Sequence, residues 1–101
     1  MDYEVIQELS DEELNEVSGG FGPGYQSVPF TPSLCFGQVT GYVKFRNRIC
    51  YKYVVAFGDT YSQVAVSLAD GNYRNLAEFN YKADPNILAV GDVIYVPVEG
   101  Y

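Results

Sequence analysis

From Tyr51 to Pro97 the apolar spacing of the chain marks out four segments, and each boundary between them carries turn or capping residues. Residues 51–57 (YKYVVAF) are rich in β-branched and aromatic side chains and read as a strand. Gly58-Asp59 breaks it. Thr60 followed by Gln63 forms a capping box that opens a helix running to about residue 69. Within that helix Tyr61, Val64, Ala65 and Leu68 recur at spacings of three and four, which marks a buried face. Asp70-Gly71 closes it, and Asn72 caps a second helix in which Tyr73, Leu76, Ala77 and Asn80 keep the same rhythm. Asp84-Pro85-Asn86 is turn chemistry, and after Gly91-Asp92 a short strand, residues 93–96, is stopped by Pro97. The order is strand, helix, helix, strand. Two such strands can pair antiparallel with both helices on one face, an α+β fold.

The string YVVAFGDTYSQVAVSLADGNYRNLAEFNYKADPNILAVGDVIYVP resembles a LysM domain almost throughout. The matching features are YVV, GDT, the Val64-Ala65 pair in the first helix, the L–FN run ending the second, DPN-I, VGD and the closing I-VP. The resemblance implies a small βααβ module over residues 51–97, with a two-stranded antiparallel sheet, followed by a short tail at 98–101. It also implies a ligand: chains of N-acetylglucosamine, as in peptidoglycan or chitin, lying in a shallow groove. One wall would be Gly58, Asp59, Thr60 and Tyr61, with Tyr61 stacking on a ring; the other would be Asp84, Asn86, Ile87 and Leu88. The same positions have roles without a ligand. Gly58, Asp59 and Thr60 suit a turn and helix start, Pro85 and Asn86 suit a turn, and Ile87 suits the core.

Charge separates the other end of the chain. Residues 1–20 carry seven of the thirteen acidic side chains and none of the six basic ones, so the remainder is neutral. Ser10 with Glu13 is a capping box that starts a helix at Asp11, and Leu9 with Leu14 forms a hydrophobic staple. If the helix extends upstream on a partner, Ile6, Leu9, Leu14 and Val17 share one apolar face. The string LSDEELNEVSGG resembles the double-glycine leader peptides of bacteriocins and related small exported proteins. That resemblance implies recognition of Leu9, Leu14 and Val17 by the peptidase domain of an export transporter. Cleavage would follow Gly19-Gly20, releasing residues 21–101. An acidic helical tail on a Gly-Gly linker is the alternative.

Residues 21–50 join the two parts. Three prolines and three glycines in residues 21–37 argue against regular structure there. From residue 38 to 45 apolar and polar residues partly alternate, with Val39, Val43 and Phe45 on one parity. Arg46-Asn47 would turn that strand back into a hairpin. Cys35 and Cys50 are left either as a disulfide in an exported protein or as two buried thiols, and the disulfide is the favoured expectation.

Several function classes are poorly served by this composition. With no His and two Cys, neither a four-ligand zinc site nor a Cys–His nucleophile can be assembled. A neutral body lacks the basic stripe that nucleic acid requires. No apolar run approaches the roughly 20 residues of a membrane span. Asp59 and Asp84 are the paired carboxylates that glycoside hydrolysis would call on. LysM modules, however, deliver separate catalytic domains, so no enzyme and no cofactor is expected. Ten Tyr and six Phe without Trp suit core filling and a sugar-binding face equally. Together the resemblances imply a protein made in the cytoplasm and exported after leader cleavage. Outside the cell it would bind wall glycan as a bacteriocin-like or cell-wall-associated effector. A structural module docking on a protein is the alternative.

Overall fold

The structure is a computed structural model that describes residues 6–10, 12, 28–69, 71–81 and 88–98. Its frame is a four-stranded antiparallel sheet in the order β1 (Gln7–Leu9), β2 (Gln38–Phe45), β3 (Arg48–Val54), β4 (Val93–Pro97). Between β3 and β4 the chain forms α1 (Tyr61–Leu68) and α2 (Tyr73–Phe79). The sheet is therefore wider than the two strands implied for the module. β3 pairs with β4 from Cys50↔Pro97 to Val54↔Val93, and its other edge is taken by β2.

Both helices begin where short polar side chains can accept from free N–H groups. Thr60, extended at φ −131° and ψ 154°, accepts from Gln63 N at 3.1 Å. Asn72 accepts from Arg74 N at 3.2 Å and Asn75 N at 3.1 Å. Tyr61, Val64 and Ala65 of α1 and Leu76 and Ala77 of α2 face inward. They meet Val39, Tyr53, Ile94 and Val96 from the sheet. The fully buried Ile94, Val96 and Val39 each contribute roughly 1.5–3 kcal/mol through apolar area removed from water.

The other face carries a second cluster of Val43, Phe45, Cys50 and Phe79, with Tyr95 packed against it. Val39, Val43 and Phe45 share a parity in the sequence but not a face in the fold. The register shifts between Val39 and Gly41, so a bulge at Thr40 sends Val39 to the helix side and Val43 and Phe45 to the opposite side. The β2–β3 turn places Arg46 (φ 52°) and Asn47 (φ 64°) in the left-handed region, as a two-residue hairpin turn requires. Asn tolerates this readily. Arg46 is held there by its guanidinium, which lies 4.7 Å from the centre of the Tyr81 ring and 5.1 Å from that of Phe79. It also donates to Phe79 O at 3.2 Å.

The expected disulfide is not formed: both cysteines are free and buried. Cys50 and Tyr53 differ by an odd number of positions on β3, so they point to opposite faces. Cys35 belongs to the helix-side cluster with Tyr53, and Cys50 to the other. The sheet itself separates the two sulfurs.

At the acidic end, Leu9 lies in a strand, paired with Tyr42 of β2, rather than on a helix face. Ile6, immediately before that strand, is exposed. The outer edge of β2 offers unpaired N–H and C=O groups, and residues 7–9 occupy them. Glu8 adds an ion pair with Lys52 of β3 at 2.6 Å. Glu12 is helical; Leu14, Val17, Gly19 and Gly20 lie outside the described residues.

Candidate functional site

The candidate site is built on the turn that follows β3. Asp59 N donates to Ala56 O at 3.1 Å, closing a four-residue turn with Gly58 at its third position. Gly58 has φ +94°, a conformation that side chains resist. Phe57 stands at the tip of the turn, 88% exposed. The loop before β4 is tied to the same place: Val55 N donates to Asp92 O, and Gly91 N to Val55 O, both at 2.9 Å. Val55 thus sets the start of the loop after β3 beside the end of the loop before β4.

Asp59 is turned inward. It is 8% exposed, and its carboxylate accepts four hydrogen bonds. Phe36 N reaches Oδ1 at 2.8 Å, while Gly37 N (3.1 Å), Tyr53 Oη (2.5 Å) and Ala56 N (2.9 Å) reach Oδ2. Burial opposes its charge, but the Tyr53 hydroxyl and the three N–H groups outweigh burial and hold the carboxyl below its ordinary value. Burial, followed by the hydrogen bond to Asp59, raises the Tyr53 phenol well above its ordinary value. With three donors on Oδ2, one on Oδ1 and little exposure to solvent, the carboxylate is committed to the protein's own groups. Its role is to clamp the upstream segment onto the module.

That segment, residues 30–37, lies along the helix side. Phe30 exchanges two backbone bonds with Val39, at 3.1 and 2.8 Å. Cys35 is buried in the main core with its sulfur 3.6 Å from Ser67 Oγ of α1, and Ser67 donates to Ser33 O. Gly37 passes so close to the clamp that a Cβ there would stand 2.1 Å from Val54 O and 2.7 Å from Tyr53 Oη. Between the buried Cys35 and Gly37, the Phe36 ring lies against Gly58, with two carbons 3.2 Å from where a Gly58 Cβ would be. No motif in the sequence linked Phe36 to this wall, because its partner Asp59 lies 23 residues downstream.

The remaining expected site residues divide sharply. Thr60 is exposed at the rim and caps α1, its hydroxyl accepting from Gln63 N. Tyr61 is 1% exposed and turned into the core, so its ring is no platform for a sugar. Its hydroxyl is buried and has no hydrogen-bond partner among the described residues. Burial, then the charge of Asp92, pushes that phenol up to about 12. Leu88 is half-buried and packs against the main core. Asp84, Asn86 and Ile87 lie outside the described residues. One wall is therefore fully visible and the other is seen only at Leu88. Among the described residues no cluster of His, Cys, Asp or Glu is arranged to hold a metal ion. No helix among them is long and apolar enough to cross a membrane.

With this geometry in hand, residues 53–97 match the family model of the LysM domain, a span just short of half the chain. It starts in β3 and ends with β4, so both loops of the candidate site fall inside it. The curated proteins and the solved structures gave no match. The LysM domain is in general a module that binds N-acetylglucosamine glycans, and it is not catalytic.

Proposed function

We propose that this protein binds N-acetylglucosamine-containing glycan, peptidoglycan or chitin, in the gap between residues 57–60 and the loop that leads into β4. The observation that carries this reading is the match of residues 53–97 to the LysM domain, combined with the bonds through Val55 that bring the two loops together. Exposed Thr60 and the backbone of the Gly58 turn supply hydrogen bonds to acetamido groups from one side. Asp84, Asn86, Ile87 and Leu88 supply the other wall. Asp59 acts beneath the surface by fixing the turn. A single module of this kind binds with about micromolar to millimolar affinity, roughly −4 to −8 kcal/mol.

The proposal extends to the N-terminal segment. Residues 1–20 act as a double-glycine leader, cleaved between Gly20 and Phe21 by a peptidase-containing transporter, so that the mature protein reaches the wall as a secreted effector. Its support is the string LSDEELNEVSGG and the concentration of acidic residues there. Mass spectrometry of the producing culture should find a form beginning at Phe21; intact chains starting at Met1 outside the cell would refute this part.

Binding is tested by co-sedimentation of the full chain with insoluble peptidoglycan and with chitin, beside an established LysM control. Retention in the pellet, displaced by soluble N-acetylglucosamine oligomer, is the expected outcome. If the control binds and the folded protein stays in the supernatant, the glycan reading is overturned.

A further inference from the structure

We infer that Phe36, which lies outside the LysM match, supplies the aromatic platform of the glycan site. This rests on the glycan reading above. Three observations point to it. First, Phe36 is 63% exposed although Cys35 and Gly37 on either side are buried, so the segment of residues 30–37, a strap along the helix side, turns this residue outward between two anchors. Second, the anchors are specific. Phe36 N is held by Asp59 Oδ1 at 2.8 Å and Gly37 N by Asp59 Oδ2 at 3.1 Å, which fixes the ring's backbone to the turn itself. Third, the inner surface of the ring rests on Gly58, where any larger side chain would displace it. Phe57, next to Gly58 in the same turn, leaves a second aromatic side chain in solvent.

A fixed ring with one surface on backbone and the other in water suits the apolar C–H face of a pyranose. Aromatic side chains commonly line ligand sites alongside a few placed polar groups. Tyr61, the residue whose position in the module suggested stacking, is buried and unable to serve. Phe36 fills that role from outside the module, so the strap and the module form one binding surface.

The test is calorimetric titration of the full chain with a soluble N-acetylglucosamine hexamer, using wild type, Phe36→Ala and Phe36→Trp. The exposed ring carries little of the fold, so both variants should melt within a few degrees of wild type. Phe36→Ala should weaken binding about tenfold, the scale of one aromatic contact. Phe36→Trp should bind as tightly as wild type. Because the chain has no other Trp, that variant's emission reports the site alone and should shift to the blue as the hexamer binds. Wild-type binding that Phe36→Ala leaves unchanged or strengthens would overturn the inference while leaving the glycan reading intact. Emission indifferent to saturating hexamer would do the same. A wild type that does not bind the hexamer would overturn both.

Discussion

The phenol of Tyr53 donates to the carboxylate of Asp59 at 2.5 Å, and that bond sits at the centre of a network joining β3, the turn after it and the upstream strap. Replacing Asp59 by Ala leaves the N–H groups of Phe36 and Ala56 and the Tyr53 hydroxyl without their acceptor, while Gly37 N keeps its 2.9 Å bond to Tyr53 Oη. The expected loss is about 3 kcal/mol, a fall in Tm on the order of 15 °C. Thermal melts followed by circular dichroism measure it, and a loss indistinguishable from zero would contradict the network.

The same carboxylate sets an acid limit. Its folded pKa is held below the ordinary 3.8, so its contribution is present above that value. It diminishes as pH falls past 3.8 and is gone once pH drops below the lowered folded value. The gap between the melts of wild type and Asp59→Ala across pH 2 to 7 (a range of about five units) should therefore narrow toward the acid end. A gap between them that stays constant with pH would contradict the assignment.

Tyr61→Phe removes a hydroxyl that is buried without a partner among the described residues. The variant should be as stable as wild type or more stable by about 1 kcal/mol, because the desolvated group is lost and no bond is broken. Its affinity for glycan should be unchanged. A drop in stability of several kcal/mol would mean that the hydroxyl is engaged.

The α+β plan, the two capped helices and the antiparallel pairing of the flanking strands were legible in residues 51–97 because local chemistry decides them, although the first of those strands runs Arg48–Val54 rather than over residues 51–57. Thr60 with Gln63, and Asn72 before an apolar rhythm, each satisfy free N–H groups a few residues away. The misread features depend on distant partners. Val39 shares parity with Val43, yet a single bulge at Thr40 puts them on opposite faces. The loop between Cys35 and Cys50 is long enough for a disulfide, but the alternation of β3 sends Cys50 away from the side where Cys35 is buried. Asp59 reads as a wall residue beside Gly58 and Thr60, and nothing local reveals that a strap from far upstream takes its lone pairs. Tyr61 carried two readings, buried face and sugar platform, and its burial selects the first.

Free thiols have a direct chemical readout. Burial raises the thiol of Cys35 and pushes that of Cys50 up to about 12, which leaves little thiolate at neutral pH. An aromatic disulfide reagent should react slowly with the folded protein and with both cysteines after denaturation. Tm should be the same with and without reductant. A reductant-dependent Tm would restore the disulfide.

Asn80 closes the outer edge of β4. Its amide donates to Tyr95 O and to Leu76 O, both at 2.9 Å, and accepts from Tyr95 N at 2.7 Å. Asn80→Asp keeps the acceptor and loses both donations, so a destabilisation of about 2 kcal/mol is expected. Chemical denaturation with urea measures it, and a neutral outcome would mean that β4 does not depend on this amide.

The central claim, that the loops flanking β3 and β4 form a glycan site, is tested most directly by titrating a soluble N-acetylglucosamine hexamer into the isotopically labelled full chain while recording amide chemical shifts. The account predicts saturable shifts concentrated in residues 57–60 and 84–88 and at Phe36, with the aromatic cluster of Phe45, Phe79 and Tyr95 unmoved. Saturating shifts confined to that cluster, or a spectrum indifferent to the hexamer, would contradict it.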